Sequence, residues 1–185
     1  ELKITVEEFL GIIGKESAFD PNIVSPMNAC GLCQLMPATA QFVGIKIRPM
    51  RKGKKYSPEN NRELFDVENN ILGGIKTLVY YRKLFASPDL SILAYNTGNV
   101  RVVRLLKEYF PELRLSNGGF DWKKYYQMRS DGAINFLDLY NQVERDEGGR
   151  EKTWRSQSLN YVRNTHGWAQ LIAKAWKPYL SKQSK

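Results

Sequence analysis

Histidine and cysteine are nearly missing from this chain, which has one His and two Cys in 185 residues. A structural zinc site wants four such ligands, and His166 has no other His or Cys near it in sequence, so no metal is expected. Strict alternation of apolar and polar residues is scarce. That excludes a fold built on sheets and leaves room for at most one short β-hairpin. No apolar run approaches the ~20 residues that a membrane-spanning helix needs, and the N-terminus lacks the charged, apolar and small-residue order of an export signal. Because Glu1 leads almost at once into an amphipathic pattern, the chain reads as a fragment whose targeting sequence has been removed. Repeats, low-complexity tracts and a dividing linker are absent as well. Residues 1–185 are therefore expected to form a single domain, large enough to bury roughly 70% of the surface its unfolded chain exposes.

Acidic side chains are also in deficit, 19 against 28 Lys and Arg, for a formal net charge of +9. The excess suits an anionic partner, which on charge alone could be nucleic acid, a membrane surface or an acidic polymer. The densest basic stretch, Arg48, Arg51, Lys52, Lys54 and Lys55, surrounds Pro49 and Gly53 and reads as a loop. No helix-turn-helix or aromatic-interleaved signature accompanies it, so nucleic acid is not expected. Cys30 and Cys33 stand at C-x-x-C spacing; they read as buried, unreactive thiols used in packing, with a disulfide and a metal site as the alternatives.

What the chain does have is helical periodicity. Residues 4–15 place Ile4, Val6, Phe9, Leu10, Ile12 and Ile13 on one broad face, with Glu16 at the C-terminal end. Pro37 opens a short helix over 37–42, since proline is welcome in a first turn. Residues 69–85 carry Ile71, Leu72, Ile75, Leu78, Val79 and Leu84 in an i, i+3, i+4 pattern. Pro88 starts another helix that runs into Ala94, and residues 100–110 form the next. Residues 111–154 read as an elaborated region with Gly118-Gly119, Gly148-Gly149 and one helix over 133–143. Its Trp122, Tyr125, Tyr126 and Tyr140 either border a cleft and stack on sugars or cover the core. A last helix spans 159–180.

From Glu16 to Pro37 the chain reads E-S-A-F-D-P-N-I-V-S-P-M-N-A-C-G-L-C-Q-L-M-P, and A-Y-N-T-G begins at Ala94. In that order and spacing these segments resemble the soluble lytic transglycosylase family, with its E-S-x-F/W-x-P, S-P-x-G-A-x-G-L-M-Q-L/I-M-P and A-Y-N-A-G. The resemblance implies a mainly α, lysozyme-like domain that cleaves the MurNAc-GlcNAc β-1,4 bond of peptidoglycan with Glu16 as its single catalytic group. A carboxylic acid can protonate the leaving oxygen near neutral pH when an apolar pocket and the negative end of a helix disfavour its ionised form. In the family one glutamate serves both steps: the sugar's own 6-hydroxyl attacks C1, which leaves a 1,6-anhydro end without any positioned water.

By the same resemblance Ser25, Gln34, Met36, Tyr95, Asn96 and Tyr161 are substrate-binding residues. Ser25 also fits as a turn residue, Gln34 and Asn96 as internal backbone bridges, and Met36 as core. Further implications are no metal or organic cofactor, glycan strands as partner, a monomer, and a bacterial periplasm or cell-envelope location. Membrane association would come only through an anchor preceding Glu1. The departures are Asn28 for a glycine, Cys30 at a small-residue position, Cys33 for methionine and Thr97 for alanine. The family's later E-T-R-x-Y-V becomes Gln157-Ser158-Leu159-Asn160-Tyr161-Val162, so its second acid is missing unless Glu144, Glu147 or Glu151 replaces it. The rival readings are a hydrolytic muramidase and a cell-wall-binding module that has lost turnover.

Overall fold

The structure is a computed structural model and describes residues 3–51, 53–147 and 154–183. Among the described residues there are nine α-helices and isolated antiparallel bridges in place of any longer ladder: Val24 with Cys30, Cys30 with Leu35, and Arg114 with Phe120. The chain is mainly helical, as the scarcity of alternation requires. No helix among the described residues is long and apolar enough to cross a membrane. Backbone contacts divide the chain into a terminal unit, Lys3–Tyr80 with Asn164–Lys185, and a central unit, Tyr81–Arg163. Both boundaries fall inside helices rather than in linkers.

In the terminal unit α1, Val6–Ser17, starts at Thr5, whose Oγ1 accepts a hydrogen bond from the Glu8 N–H at 3.1 Å. Glu7 and Glu8 in its first turn and Lys15 in its last complement the helix dipole. Phe9, Ile12 and Ile13 are buried, each contributing roughly 1.5–3 kcal/mol. Gly11 and Gly14 share that face because the final helix, α9 (Trp154–Gln183), crosses there without a gap. A Cβ at Gly11 would lie 2.6 Å from the Thr165 carbonyl oxygen, and one at Gly14 would lie 2.8 Å from the Trp168 ring.

Three more helices follow in sequence: α2 (Pro37–Phe42), the four-residue α3 (Arg62–Phe65) and α4 (Val67–Phe85). The basic stretch between α2 and α3 is a loop, as expected; Lys52 lies outside the described residues. In α4 the structure corrects the expected buried face. Leu72 is exposed and Ile71, Ile75 and Val79 are half-buried, whereas Asn70, Gly73, Gly74, Thr77, Leu78, Arg82 and Phe85 are buried. The helix turns its small and polar stripe inward because neighbouring side chains leave no room for a larger residue: a Cβ at Gly73 or Gly74 would lie 2.7 Å from the Leu35 Cδ1 or 2.5 Å from the Cys33 Sγ.

The central unit holds α5 (Pro88–Thr97), α6 (Asn99–Tyr109), a 3-10 turn at Pro111–Leu113, α7 (Trp122–Ser130), α8 (Phe136–Glu147) and the first part of α9. Ser87 caps α5, its Oγ accepting from the Leu90 N–H. The buried Arg82 donates from Nε to Ser91 Oγ, which in turn donates to the Ser87 carbonyl. Neither α3 nor α7 is legible as a period. In α7 Tyr125 is the one buried residue, so no apolar stripe marks the helix. The helix expected over 133–143 begins later, at Phe136, and α9 begins earlier than expected, at Trp154.

Of the four aromatics expected either to border a cleft or to cover the core, Tyr125 and Tyr126 of α7 have hydroxyl partners at the end of α4. Tyr125 is fully buried, among the rings of Phe85, Phe120 and Trp122. Its hydroxyl donates to the Phe85 carbonyl at 2.6 Å, while the exposed Tyr126 hydroxyl donates to the Leu84 carbonyl at 2.9 Å. The last carbonyls of a helix have no partner within it, so these two phenols complete the end of α4. Tyr125 is core. Tyr140 sits half-buried under the Arg163 guanidinium, which donates to its hydroxyl.

Removing one member of a buried pair leaves the other without a partner. Tyr125→Phe is therefore expected to lower the unfolding free energy by about 1–2 kcal/mol, and Tyr126→Phe, at an exposed hydroxyl, by much less. Urea denaturation of the two variants checks this, and equal effects would contradict the capping role.

Candidate functional site

Glu16 lies in the last turn of α1, half-buried, one residue before the helix ends. The chain leaves that helix by an unusual path. Ala18 and Phe19 both have positive φ, 49° and 67°, a region that costs a residue with a side chain of order 1 kcal/mol or more. The buried Ser17 holds the exit in place: its Oγ donates to the Ile13 carbonyl and accepts from the Phe19 N–H. Asn28 and Gln34 also have positive φ, 66° and 46°. Thus four of the five described non-glycine residues in this region, the fifth being Ala86, fall between Glu16 and Met36. Strained backbone concentrates where a surrounding structure over-determines it, which is characteristic of functional sites.

The segment is held by its own turns. Ser25 Oγ accepts from the Ala29 N–H at 2.9 Å, and the Ser25 carbonyl accepts from the Asn28 N–H. Gln34 Nε2 donates to the carbonyls of Gly31 at 2.9 Å and Ile23 at 3.2 Å. Both residues are thus engaged as turn and backbone bridges. Met36 is exposed at the entry to α2. The departure at Asn28 follows from its φ, since asparagine is the side chain that best tolerates the left-handed region a glycine would otherwise fill. Among the described residues no group of His, Cys, Asp and Glu could hold a metal ion.

Asn70 is the functional neighbour that sequence reasoning missed. Its side chain is buried, accepts from the Cys33 N–H at 2.8 Å, and donates to the carbonyls of Cys30 at 3.1 Å and Leu64 at 2.8 Å. Gly31, with φ +73°, passes directly over it, so close that a Cβ would lie 2.5 Å from Asn70 Nδ2. A polar residue at i−3 and i−4 from a pair of helical glycines was the available signal. Cys30 and Cys33 are fully buried and carry no disulfide. Cys30 Sγ donates to the Asn28 carbonyl, and burial pushes the Cys30 thiol up to about 11.

Glu16, Ser25, Gln34 and Met36 belong to the terminal unit, and Tyr95, Asn96 and Tyr161 to the central one. Tyr95 is half-buried and Asn96 exposed in the last turn of α5. Thr97, the departure there, donates from Oγ1 to the Leu93 carbonyl, so its hydroxyl serves the helix end. Tyr161 is 6% exposed on α9, next to the buried Val162. Of the acids considered as a second carboxylate, Glu144 is half-buried on α8, Glu151 lies outside the described residues, and so does the side chain of Glu147.

The profile of the Transglycosylase SLT domain matches residues 2–112. Membrane-bound lytic murein transglycosylase C of Haemophilus influenzae is 36% identical over 104 residues, 52% of this chain and 28% of that protein. The soluble lytic murein transglycosylase of Escherichia coli is 36% identical over 94 residues, 50% of this chain and 14% of that protein. The chain spans less than a third of the length of these curated relatives. The crystal structure of the 70 kDa soluble lytic transglycosylase Slt70 from Escherichia coli matches over 95% of this chain and 22% of its own, with a TM-score of 0.61 at 24% identity. A complex of the 70-kDa soluble lytic transglycosylase with bulgecin A matches at 0.60. Both likenesses are of fold.

Two effects follow from the Asn70 clamp. Between the ordinary thiol value of ~8.5 and about 11, folded Cys30 keeps a proton that the unfolded chain has lost. Its contribution to stability therefore falls as pH rises through that window, and at about pH 8 a thiol reagent should label the native chain far more slowly than the unfolded one. Asn70→Ala strips partners from two carbonyls and an N–H, so it should cost about 3 kcal/mol and speed native labelling of both thiols. Rapid labelling of the unsubstituted chain would contradict the buried arrangement.

Proposed function

This chain belongs to the Transglycosylase SLT domain family, and from that membership we propose that it is a lytic transglycosylase acting on peptidoglycan glycan strands through Glu16. The observation that carries the reading is the placement of Glu16 itself. It ends a well-capped helix, and the next twenty residues follow a strained, internally bonded path that ends at Met36. Such a path is costly to hold without a use.

In the proposed reaction the Glu16 carboxylic acid gives its proton to the glycosidic oxygen as the bond from C1 of MurNAc to that oxygen breaks. The GlcNAc side leaves as an alcohol, and the substrate's acetamido group stabilises the oxocarbenium-like centre. The 6-hydroxyl of the same MurNAc then bonds to C1 and returns its proton to the Glu16 carboxylate. The enzyme regains its starting state, no water is consumed, and the product ends in 1,6-anhydro-MurNAc. A tethered hydroxyl has a high effective concentration, which lets one carboxyl group do what two do in most glycosidases. Nothing in this sequence of steps calls for a metal or organic cofactor.

Within this reading Ser25 and Gln34 act through the shape of the segment they close, Met36 offers an apolar wall to the sugars, and Tyr95, Asn96 and Tyr161 are carried over from the family pattern as substrate-binding residues. The excess of positive charge suits an anionic wall. The place of action is the bacterial periplasm or cell envelope, where that polymer is found.

Glu16→Gln keeps size and shape but can neither donate nor retrieve the proton. It should lower turnover of purified sacculi by about 10⁴-fold or more, since general acid–base catalysis is typically worth about 10² to 10⁴ per step and one group serves both. Folding and glycan binding should be nearly unchanged. Retention of more than a few per cent of activity would show that another group carries the proton.

A further inference from the structure

Residues 21–58 contain no Asp or Glu, and within that stretch Lys46, Arg48, Arg51, Lys54 and Lys55 all fall on the loop between α2 and α3. All five side chains are exposed. Glu59 and Glu63 follow closely in sequence, yet among the described residues none of the five cations is in an ion pair. The loop that carries them is fixed. The Ile45 N–H donates to the Ala40 carbonyl at 2.9 Å, Asn61 Oδ1 accepts from the Arg48 N–H at 2.7 Å, and Asn60 Nδ2 donates to the Lys55 carbonyl at 3.2 Å. Two adjacent asparagines, themselves joined at 3.0 Å, thus draw the outgoing and returning arms together. Between the arms the chain turns at Gly53, whose φ is +83°. Like charges gathered on a closed loop repel one another unless an anion lies among them.

The foot of the loop adjoins the segment that follows Glu16. Ile45, at that foot, and Leu35, next to Met36, close on the same point of α4: a Cβ at Gly73 would lie 2.7 Å from the Cδ1 of each. We propose that residues 46–55 form a subsite for the carboxylates of the peptide stem borne by the MurNAc whose bond Glu16 cleaves. The proposal rests on the catalytic reading and deepens it, since it makes the peptide as well as the glycan part of what is recognised.

Reach and chemistry select this occupant. A stem leaves the lactyl group of its sugar, and four extended residues span roughly 14 Å, so free carboxylates along it come within range of a loop rooted beside Leu35. Glycan hydroxyls carry no charge for the five cations to meet. Among the described residues no large apolar side chain from 43 to 66 is exposed, so the loop offers nothing to enter a bilayer. Its one aromatic, Tyr56, is half-buried, which leaves no open ring for a nucleobase.

The test is a set of dissociation constants for the 185-residue chain carrying Glu16→Gln, so that strands are bound without being consumed. The targets are purified sacculi, sacculi whose carboxylates have been coupled to methylamine, and glycan strands stripped of peptide by an amidase. Sedimentation reads the first two and competition the third. Untreated sacculi should be held about tenfold more tightly than either other target, because exposed charge pairs are each weak but several act together. The advantage should shrink as salt is raised. Adding Arg51→Ser, Lys54→Ser and Lys55→Ser should abolish it, whereas adding Arg51→Lys alone, which conserves the charge, should keep it. These side chains are exposed, so the melting temperature should not move. Equal binding of the three targets would overturn the subsite. So would an advantage that survives the triple substitution, or one that survives coupling to methylamine, which would point to phosphate or another anion. Fragment release by the chain with Glu16 intact is scored separately: its absence would contradict the catalytic reading, while the binding ratios alone decide the subsite.

Discussion

One buried side-chain amide holds the least regular part of this molecule in shape. Asn70 reaches from α4 to the backbone on both sides of Gly31, accepting from the Cys33 N–H and donating to the Cys30 carbonyl, and its second donor bond ties the end of α3. The segment it clamps is neither helix nor extended sheet and is otherwise held by its own turns and isolated bridges. It carries Asn28 and Gln34 in left-handed conformations that each disfavour the observed path. A fully satisfied buried polar group is directional in a way that apolar packing is not. The same stripe of α4 is glycine at 73 and 74, so the clamped segment comes near enough for Asn70 to reach it.

This arrangement explains which parts of the fold could be read in the amino-acid sequence. The first helix was legible because it buries Phe9, Ile12 and Ile13 at helical spacing, and Pro37 and Pro88 mark helix starts by their fixed φ; the last was legible as a helix, although Leu171 and Ala175 of its expected packing stripe are exposed. In α4 the same rule placed Leu78 correctly, but Ile71, Ile75, Val79 and Leu84 form a half-buried flank, Leu72 is exposed, and Asn70, Gly73, Gly74 and Thr77 join Leu78 on the inward face. Periodicity reports side chains that fill space and is silent where a helix makes room for its neighbours' side chains with glycine. In α7 one tyrosine anchors nine residues, too few to make a period, and its capping of α4 joins positions forty residues apart.

The candidate site was legible as motif and opaque as geometry. Glu16 could be placed at a helix end from the pattern of α1 alone. That Ser25 and Gln34 close turns, with their polar atoms on backbone groups, required coordinates. The departures from the family pattern are absorbed by local physics: asparagine where φ is positive, small thiols where α4 glycines press on the segment, and a threonine whose hydroxyl bonds back into its own helix. Each fits the local backbone at its own position.

The central claim is that the glycosidic bond is broken by transfer to the sugar's own hydroxyl, with Glu16 moving the proton in both directions. Mass analysis of muropeptides released from purified sacculi tests it most directly. The account predicts fragments ending in 1,6-anhydro-MurNAc, lighter by roughly 18 Da, one water, than hydrolysis products, and without a reducible end. Release of fragments that end in reducing muramic acid would contradict it and mark the enzyme as a hydrolase.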